Sequence, residues 1–196
     1  FIAQKEEADR KAADLKAAEE AAKKAPVLQT STEDKKAPVT TTNQESNPPA
    51  PIGGGTSGTV TAAEGQAIVA EAANYLGTPY VWGGKSPGGF DCSGFINYVM
   101  GDFGFELTRS SYGLAELGRN VKLSDLRPGD LMFFKGRNVN STNVGHVSMV
   151  VEVQENEIKM IHASSSRGVV IDNFTASSYY VPRFIKAKRL DYGNRD

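Results

Sequence analysis

The sequence predicts an α+β domain that begins near residue 60, with helices in its first half and strands in its second. Segments with the apolar spacing of helices occur between residues 62 and 117. Residues 131–190 instead contain β-branched and aromatic runs of strand length, separated by short turns. Helices followed by closely connected strands are typical of an α+β fold on a mostly antiparallel sheet. About 130 residues are enough for one such core.

Three segments of the first half fit helices. Residues 62–76 follow Thr61, a good N-cap, and end before Gly77. We expect this helix to bury one face, made of Ile68, Val69, Ala72, Ala73 and Leu76. Asp91 is placed to cap a second, apolar helix, CSGFINYVM, and SSYGLAEL, which ends before Gly118, is the third candidate.

Five runs of the second half have the composition of strands. They are LMFFK, GHVSMVVEV, EIKMIHA, GVVIDNF and FIKAKRL. A Pro-Gly turn precedes the first run, and residues 155–157 are expected to form a hairpin tip between the second and the third.

The first 59 residues differ in composition from the domain that follows. Residues 1–24 are rich in Ala, Lys and Glu, with opposite charges four positions apart, which predicts a solvated helix or the end of a coiled coil. Residues 25–59 are rich in Pro, Thr, Ser, Asn and Gly, which predicts a disordered linker. We expect residues 60–191 to be the functional domain and residues 192–196 a short tail. The N-terminal helix is a candidate tether or partner-binding segment.

Composition excludes some classes of partner. The net charge of −1 gives no overall attraction to nucleic acid. No apolar run reaches the roughly 18 residues of a transmembrane helix, so we expect none. No export signal is visible, and because the chain begins with Phe1 we expect a processed form or an expressed fragment. One cysteine cannot form an internal disulfide, so cysteine usage does not fix the redox compartment.

Cys92 lies after a glycine-rich loop, at the start of a predicted helix. Unpaired backbone N–H groups and the helix dipole stabilise a thiolate at such a position, and the thiolate is the form that attacks carbonyl groups. The backbone N–H of Cys92 could also serve as an oxyanion donor. The alternative is an inert buried cysteine, which is common for a free thiol.

The two histidines, His146 and His162, lie in neighbouring predicted strands. A neutral His146 could accept the thiol proton and later donate it to a leaving amine. We expect His162 to lie close to His146, where it could fix the tautomer of that ring. Ordinary histidines at a strand end and a core edge remain the alternatives. A zinc site is a further alternative, although the three residues lack the local spacing of such sites.

Five motifs, in this order, resemble those of the NlpC/P60 cysteine peptidases. They are GTPYVWGGKSPGGFDCSGF, RSSYGLAELG, LRPGDLMFF, GHVSMVVE and IHASS, and the similarity covers about residues 62–190. The resemblance implies a papain-like α+β fold and a Cys–His–His triad, with Cys92 as nucleophile, His146 as base and His162 as the orienting residue. The layout is similar to that of small murein endopeptidase lipoproteins.

The resemblance also implies an activity and a cellular location. The expected reaction is hydrolysis of the amide between the γ-carboxyl of D-glutamate and a diamino acid in peptidoglycan stem peptides. The implied place is the cell envelope, either periplasmic or extracellular, and the family brings no metal or organic cofactor. Another thiol amidase or acyltransferase on the same fold is an alternative, as is a non-catalytic module that binds the wall.

Six further residues match positions near the family's substrate. Tyr80 would help to hold the oxyanion or the substrate, Trp82 would line the cleft, and Asp91 with Ser93 would bind the free amino end of the stem peptide. Arg109 and Ser111 would lie along the groove. Five of them have an ordinary alternative: packed aromatic rings for Tyr80 and Trp82, a helix cap for Asp91, a surface arginine for Arg109 and an N-cap serine for Ser111.

Overall fold

A computed structural model describes residues 58–191. The predicted helix of residues 1–24, nearly all of the predicted linker and the predicted tail lie outside the described residues. Thr59 forms a β bridge with Asp191, which brings the two ends of the described segment together. Within residues 58–191, no helix is long and apolar enough to cross a membrane, and no group of three or more His, Cys, Asp or Glu side chains could hold a metal ion.

Helix α1, Ala62–Ala73, starts at the predicted cap but ends earlier than predicted. The Thr61 side chain accepts from the backbone N–H of Glu64, and the Glu64 carboxylate accepts from that of Thr61, which forms a capping box. The buried positions at Ile68, Val69 and Ala72 are confirmed. The predictions for Ala73 and Leu76 are wrong. Ala73 is the last residue of the helix and is exposed, and Leu76 is exposed because it lies in the turns that follow the helix.

Helix α2, Cys92–Asp102, begins at the predicted Asp91 cap, whose carboxylate accepts from the backbone N–H of Gly94 at 2.6 Å. Its buried face packs Phe95, Ile96, Val99 and Met100 into the core. The third candidate helix is a single turn, α3, Ser111–Leu114. Its N-cap is Ser110, so the alternative role of Ser111 as a cap is wrong.

The strands of the described segment form two sheets, a short hairpin and a larger main sheet. A two-stranded antiparallel hairpin, β1 Lys85–Ser86 and β2 Gly89–Phe90, lies in the glycine-rich loop. The main sheet has six strands in the order β3-β8-β4-β5-β6-β7. These are β3 Arg119–Val121, β4 Leu131–Lys135, β5 Val144–Val153, β6 Ile158–Ser164, β7 Gly168–Asn173 and β8 Phe184–Arg189. All neighbouring strands are antiparallel, and the five predicted strands are confirmed.

The main sheet is covered on both faces. Side chains alternate along each strand, so one set packs against the helices and the other faces away from them. The helix side contains Phe133, Val147, Met149, Ile161 and Ala163. The opposite side is closed by an aromatic cluster made of Phe134, Phe174, Tyr180 and Phe184. Because β5 and β6 lie between these layers, the two histidines that they carry are held on a rigid support.

Candidate active site

A cleft of about 780 Å³ opens where the start of α2 meets the main sheet. Cys92 and His146 both line it. All six side chains predicted from the sequence to lie near a substrate line it as well: Tyr80, Trp82, Asp91, Ser93, Arg109 and Ser111. His162 does not reach the cleft, since it is fully buried behind His146. The structure therefore brings the predicted site together on one surface.

Cys92 is the first residue of α2 and is half-buried. Burial, followed by the charge of Asp91, raises the pKa of the Cys92 thiol to about 11. Hydrogen bonds from the backbone of Val147 and Ser93, and the charge of Arg109, lower this pKa only in part. The expectation that the helix start favours a thiolate in the free protein is therefore wrong, because desolvation outweighs it.

His146 lies near the start of β5, where it pairs with Phe134 of β4. Burial, together with the nearby His162, holds the pKa of His146 well below its ordinary value, although the charge of Asp172 acts in the opposite direction. A neutral imidazole at this position can accept a proton. Substrate-free, the cleft thus combines a protonated thiol with an uncharged base.

The predicted proximity of the two histidines is observed. His146 Nε2 lies 3.1 Å from His162 Nδ1, and the two rings are nearly perpendicular, at 88°. Since Nε2 of His146 is engaged with His162, Nδ1 is the nitrogen left for chemistry in the cleft. Tyr180 stacks on His146 with an interplanar angle of 24° and so covers one face of that ring.

Asp91 is the centre of a hydrogen-bond network beside Cys92. Its carboxylate caps α2 through Gly94 and also accepts from the backbone N–H of Gly83 at 3.0 Å. Arg109 donates to both carboxylate oxygens, at 2.9 and 2.5 Å, and to Ser93 Oγ at 2.8 Å. Asp91 therefore acts as a cap and as an ion-pair partner, and Arg109 is not an ordinary surface arginine.

The glycine-rich loop approaches α2 so closely that a side chain would not fit between them. A Cβ atom added at Gly94 would lie 1.9 Å from the carbonyl oxygen of Gly84. This contact explains the glycine two positions after Cys92, and it fixes the loop that carries Tyr80 and Trp82 against the start of the helix. Trp82 is 48% exposed, so its alternative interpretation as a core aromatic is wrong.

Sequence reasoning missed three residues around the histidines: Arg167, Asp172 and Tyr180. Asp172 Oδ2 lies 3.0 Å from His162 Nε2, and Arg167 binds the same carboxylate with two hydrogen bonds. The one available signal was Asp172 itself, a charged residue within the apolar run GVVIDNF, whose composition predicts only a strand. Neither Arg167 nor Tyr180 lies in the five motifs that resemble those of the NlpC/P60 family.

Comparison with known proteins places this geometry in a family. A model described as "NlpC/P60 family" matches residues 77–189, more than half of the chain. Gamma-DL-glutamyl hydrolase of Bacillus subtilis is 38% identical over 124 residues, which are 63% of this chain and 29% of that protein. A probable endopeptidase of Haemophilus influenzae is 38% identical over 118 residues, 59% of this chain and 68% of its own length. Murein DD-endopeptidase MepS/Murein LD-carboxypeptidase of Escherichia coli K12 is 34% identical over 124 residues, 63% of this chain and 61% of its own.

Solved structures agree with the sequence relatives. An NlpC/P60 family protein from Bacillus cereus superposes with a TM-score of 0.57 at 29% identity, over 66% of this chain and 41% of its own. The NlpC/p60 domain of peptidoglycan hydrolase SagA gives 0.50 at 32% identity, over 63% of this chain and 97% of its own. The likeness thus spans less than half of the Bacillus proteins but nearly the whole SagA domain. The resemblance and the α+β fold predicted from the sequence are confirmed, and this chain belongs to the NlpC/P60 family.

Proposed function

We propose that this domain is a cysteine endopeptidase that hydrolyses peptidoglycan stem peptides through Cys92, His146 and His162. The observation that carries the proposal is that Cys92 and His146 line one cleft while His162 holds the far side of the His146 ring. The names of the relatives, which include a glutamyl hydrolase, murein endopeptidases and a peptidoglycan hydrolase, support it.

The first chemical step is attack of sulfur on the scissile carbonyl. Because the resting thiol is protonated and His146 is neutral, the proton passes from Cys92 Sγ to His146 Nδ1 as the C–S bond forms. The developing oxyanion can be met by the backbone N–H of Cys92, which has no partner within its helix, and by the Tyr80 hydroxyl. His162 stabilises the imidazolium through Nε2 of His146.

The second half of the reaction returns the enzyme to its resting state. The His146 imidazolium donates its proton to the leaving amine, the C–N bond breaks, and a thioester to Cys92 remains. His146 then removes a proton from water, which attacks the thioester and releases the free acid and the thiol. No group beyond these residues and water is needed to balance the protons.

The bond that we propose is the one between the γ-carboxyl of D-glutamate and the diamino acid. The support is the name of the Bacillus subtilis relative together with the position of Asp91 and Ser93 beside the nucleophile. Asp91 is already bound by Arg109 in the free cleft. A substrate ammonium group would therefore share this carboxylate with Arg109, and Arg109 becomes part of the amine-binding site. The site of action that follows is the cell envelope, with residues 1–59 as a tether.

The test is digestion of purified muropeptides by the full chain, followed by mass spectrometry of the products. We expect a new amine on the diamino acid with the wild-type chain and no product with Cys92→Ala. Ser124→Ala, a similarly small change outside the cleft, should cleave like the wild type. Retained cleavage by folded Cys92→Ala would overturn the nucleophile assignment.

A substrate panel separates the proposal from its alternatives. Peptides with and without a free N-terminal L-alanine test the amine-binding site, and simple amides with added acceptor amines test an amidase or acyltransferase. Muropeptide binding without any bond cleavage would instead identify a wall-binding module. Cleavage of only the simple amides would contradict the proposed substrate class but not the thiol chemistry.

A further inference from the structure

We propose that Asp172, held by Arg167, is a positioning residue that sets the hydrogen-bond direction through His162 and His146 and so keeps the cleft-facing nitrogen of His146 free to accept a proton. The inference rests on the proposed function, because it concerns the base of that reaction. It extends the site beyond the three predicted catalytic residues, through a continuous chain of hydrogen bonds that ends at the exposed Arg167.

Strand register places Asp172 next to His162. In the pairing of β6 with β7, Met160 lies opposite Asp172 and His162 lies opposite Val170. Asp172 is therefore the diagonal neighbour of His162 on the same face of the sheet. Its Oδ2 atom lies 3.0 Å from His162 Nε2, which is a hydrogen-bond distance.

Arg167 holds the carboxylate from the turn between the two strands. Its guanidinium donates to Oδ1 at 3.0 Å and to Oδ2 at 2.6 Å, the two-pronged geometry that suits a carboxylate. The hydrogen bond from His162, and then the one from Arg167, hold the pKa of Asp172 well below its ordinary value. Asp172 is therefore ionised and can only accept hydrogen bonds.

An acceptor at one end of this chain of hydrogen bonds fixes the position of each ring proton along it. Because Asp172 can only accept, His162 Nε2 carries a proton and donates it. A neutral His162 then has an unprotonated Nδ1, which accepts from His146 Nε2 at 3.1 Å. A neutral His146 with its proton on Nε2 has an unprotonated Nδ1, which is the nitrogen left for the cleft.

Two other titratable groups face the ring pair, and neither sets this direction. The Tyr180 hydroxyl lies 3.4 Å from His162 Nε2, farther than the carboxylate, and burial raises the pKa of Tyr180, so the group stays protonated. A hydroxyl can donate or accept, and so it is compatible with either tautomer. Cys92 lies on the cleft side of His146, and its proton is the one to be transferred.

Alanine at position 172 should remove the acceptor that fixes this direction. Arg167 and His162 both donate to Oδ2 of Asp172, so the variant leaves His162 Nε2 without a carboxylate partner. The Tyr180 hydroxyl can then donate to His162 Nε2. In the reversed tautomers His162 carries its proton on Nδ1 and donates to His146 Nε2, so His146 Nδ1 is protonated and unable to accept from Cys92.

The tautomers can be measured directly, because the chain contains two histidines. ¹⁵N NMR of the full chain labelled at histidine should show Nε2 protonated and Nδ1 unprotonated on both rings. In Asp172→Ala we expect a shift towards the reversed tautomers, in which Nδ1 of both rings is protonated. A wild-type spectrum with the proton of His162 on Nδ1 would overturn the inference without any variant.

Kinetics of muropeptide cleavage give the second readout. For Asp172→Ala we expect kcat to fall about 10–100-fold with little change in KM, as for partners that orient a catalytic group from behind. The matched control is Glu152→Ala, which removes the carboxylate of an ion pair with Lys159, 2.8 Å away, on β5 and β6. It should keep wild-type kcat and tautomers. An Asp172→Ala enzyme with wild-type kcat and wild-type ¹⁵N shifts would also overturn the inference.

Two variants of similar size separate hydrogen bonding from packing. Asp172→Asn can place its oxygen where Oδ2 lies and accept from both Arg167 and His162, so we expect its kcat to lie several-fold above that of Asp172→Ala. Asp172→Leu fills similar space without an acceptor and should be as slow as Asp172→Ala. Equal kcat values for Asp172→Asn and Asp172→Leu would contradict the proposed role. If the wild-type chain cleaves no muropeptide, the proposed function fails, whereas the NMR shifts and the rate of Cys92 alkylation still decide the tautomer.

Discussion

The cleft contains two carboxylate–arginine pairs of almost identical geometry, Asp91–Arg109 at 2.5 Å and Asp172–Arg167 at 2.6 Å. They support opposite halves of the proposed reaction. Asp91 binds backbone N–H groups at the start of a helix, and so it fixes where Cys92 lies. Asp172 binds a histidine ring, and so it fixes where protons lie. The same kind of ion pair therefore fixes chain geometry in one place and, in our proposal, the tautomers of His162 and His146 in the other.

The largest expected effect comes from removing His146, the proposed base that the second pair supports. His146→Ala leaves the thiol protonated with no acceptor, and general-base catalysis contributes about 10²–10⁴-fold, so we expect kcat to fall by that factor. The measurement is the initial rate of muropeptide cleavage. Ser141→Ala, in the loop before β5, is the control and should keep the wild-type rate. A loss smaller than tenfold in His146→Ala would remove this histidine from the mechanism.

Loss of the α2 cap should show whether the Asp91–Arg109 pair contributes to stability, to cleavage or to both. Asp91→Ala removes the cap of α2 and the partner of Arg109, so we expect the free energy of unfolding to fall by about 1–2 kcal/mol and cleavage to fall with it. Thr61→Ala removes the cap of α1, away from the cleft, and should lower stability by about 1 kcal/mol while leaving kcat unchanged. Urea unfolding and initial rates measure both quantities. Equal kcat values for the two variants would show that Asp91 acts only in folding.

The two members of the first pair should shift the reactivity of Cys92 in opposite directions. The charge of Asp91 raises the pKa of the thiol and that of Arg109 lowers it, so Asp91→Asn should speed alkylation by iodoacetamide and Arg109→Gln should slow it. In the wild type, the rate should still be rising at pH 10, since the pKa is about 11. Mass spectrometry from pH 5 to 10 follows the reaction. A plateau below pH 7 would instead indicate a preformed thiolate–imidazolium pair.

Stability should depend on pH with opposite signs at the two halves of the cleft. The folded-state pKa of Cys92 lies above that of an unfolded thiol, so its contribution is present below about pH 8.5 and is lost as pH rises. The folded-state pKa of His146 is depressed, so stability is lost as pH falls below about 6.5. Thermal melts should give a highest Tm between these limits. The alkaline decline should weaken in Cys92→Ala, and an unchanged decline would contradict the assignment.

The smallest expected effect lies at the cleft rim. Trp82 is 48% exposed and lines the cleft, so Trp82→Ala should raise KM several-fold with little change in kcat, since it removes contact area without touching the reacting atoms. Tyr112 is 62% exposed and is not among the residues that line the cleft. Tyr112→Ala is therefore the matched aromatic control and should leave KM unchanged.

Local patterns predicted most of the elements. The capping residues Thr61 and Asp91 marked two helix starts, because a side-chain oxygen before an apolar run satisfies free N–H groups. The β-branched runs gave all five long strands. The patterns failed at Ala73 and Leu76, since the end of α1 depends on where the chain must turn towards the sheet. They also missed β3 and the β1–β2 hairpin, whose two or three residues carry too little periodicity to detect.

The sequence by itself determined which residues could perform thiol chemistry, because a single cysteine at a capped helix start and two histidines in strands have few other arrangements. Tertiary structure alone decided the ionisation of Cys92, since burial opposed the effect expected of the helix start. It also decided the partner of His162: Asp172 becomes a neighbour only through the register between β6 and β7. Charge states and proton directions depend on desolvation and on contacts between strands, and neither is a property of a local stretch of sequence.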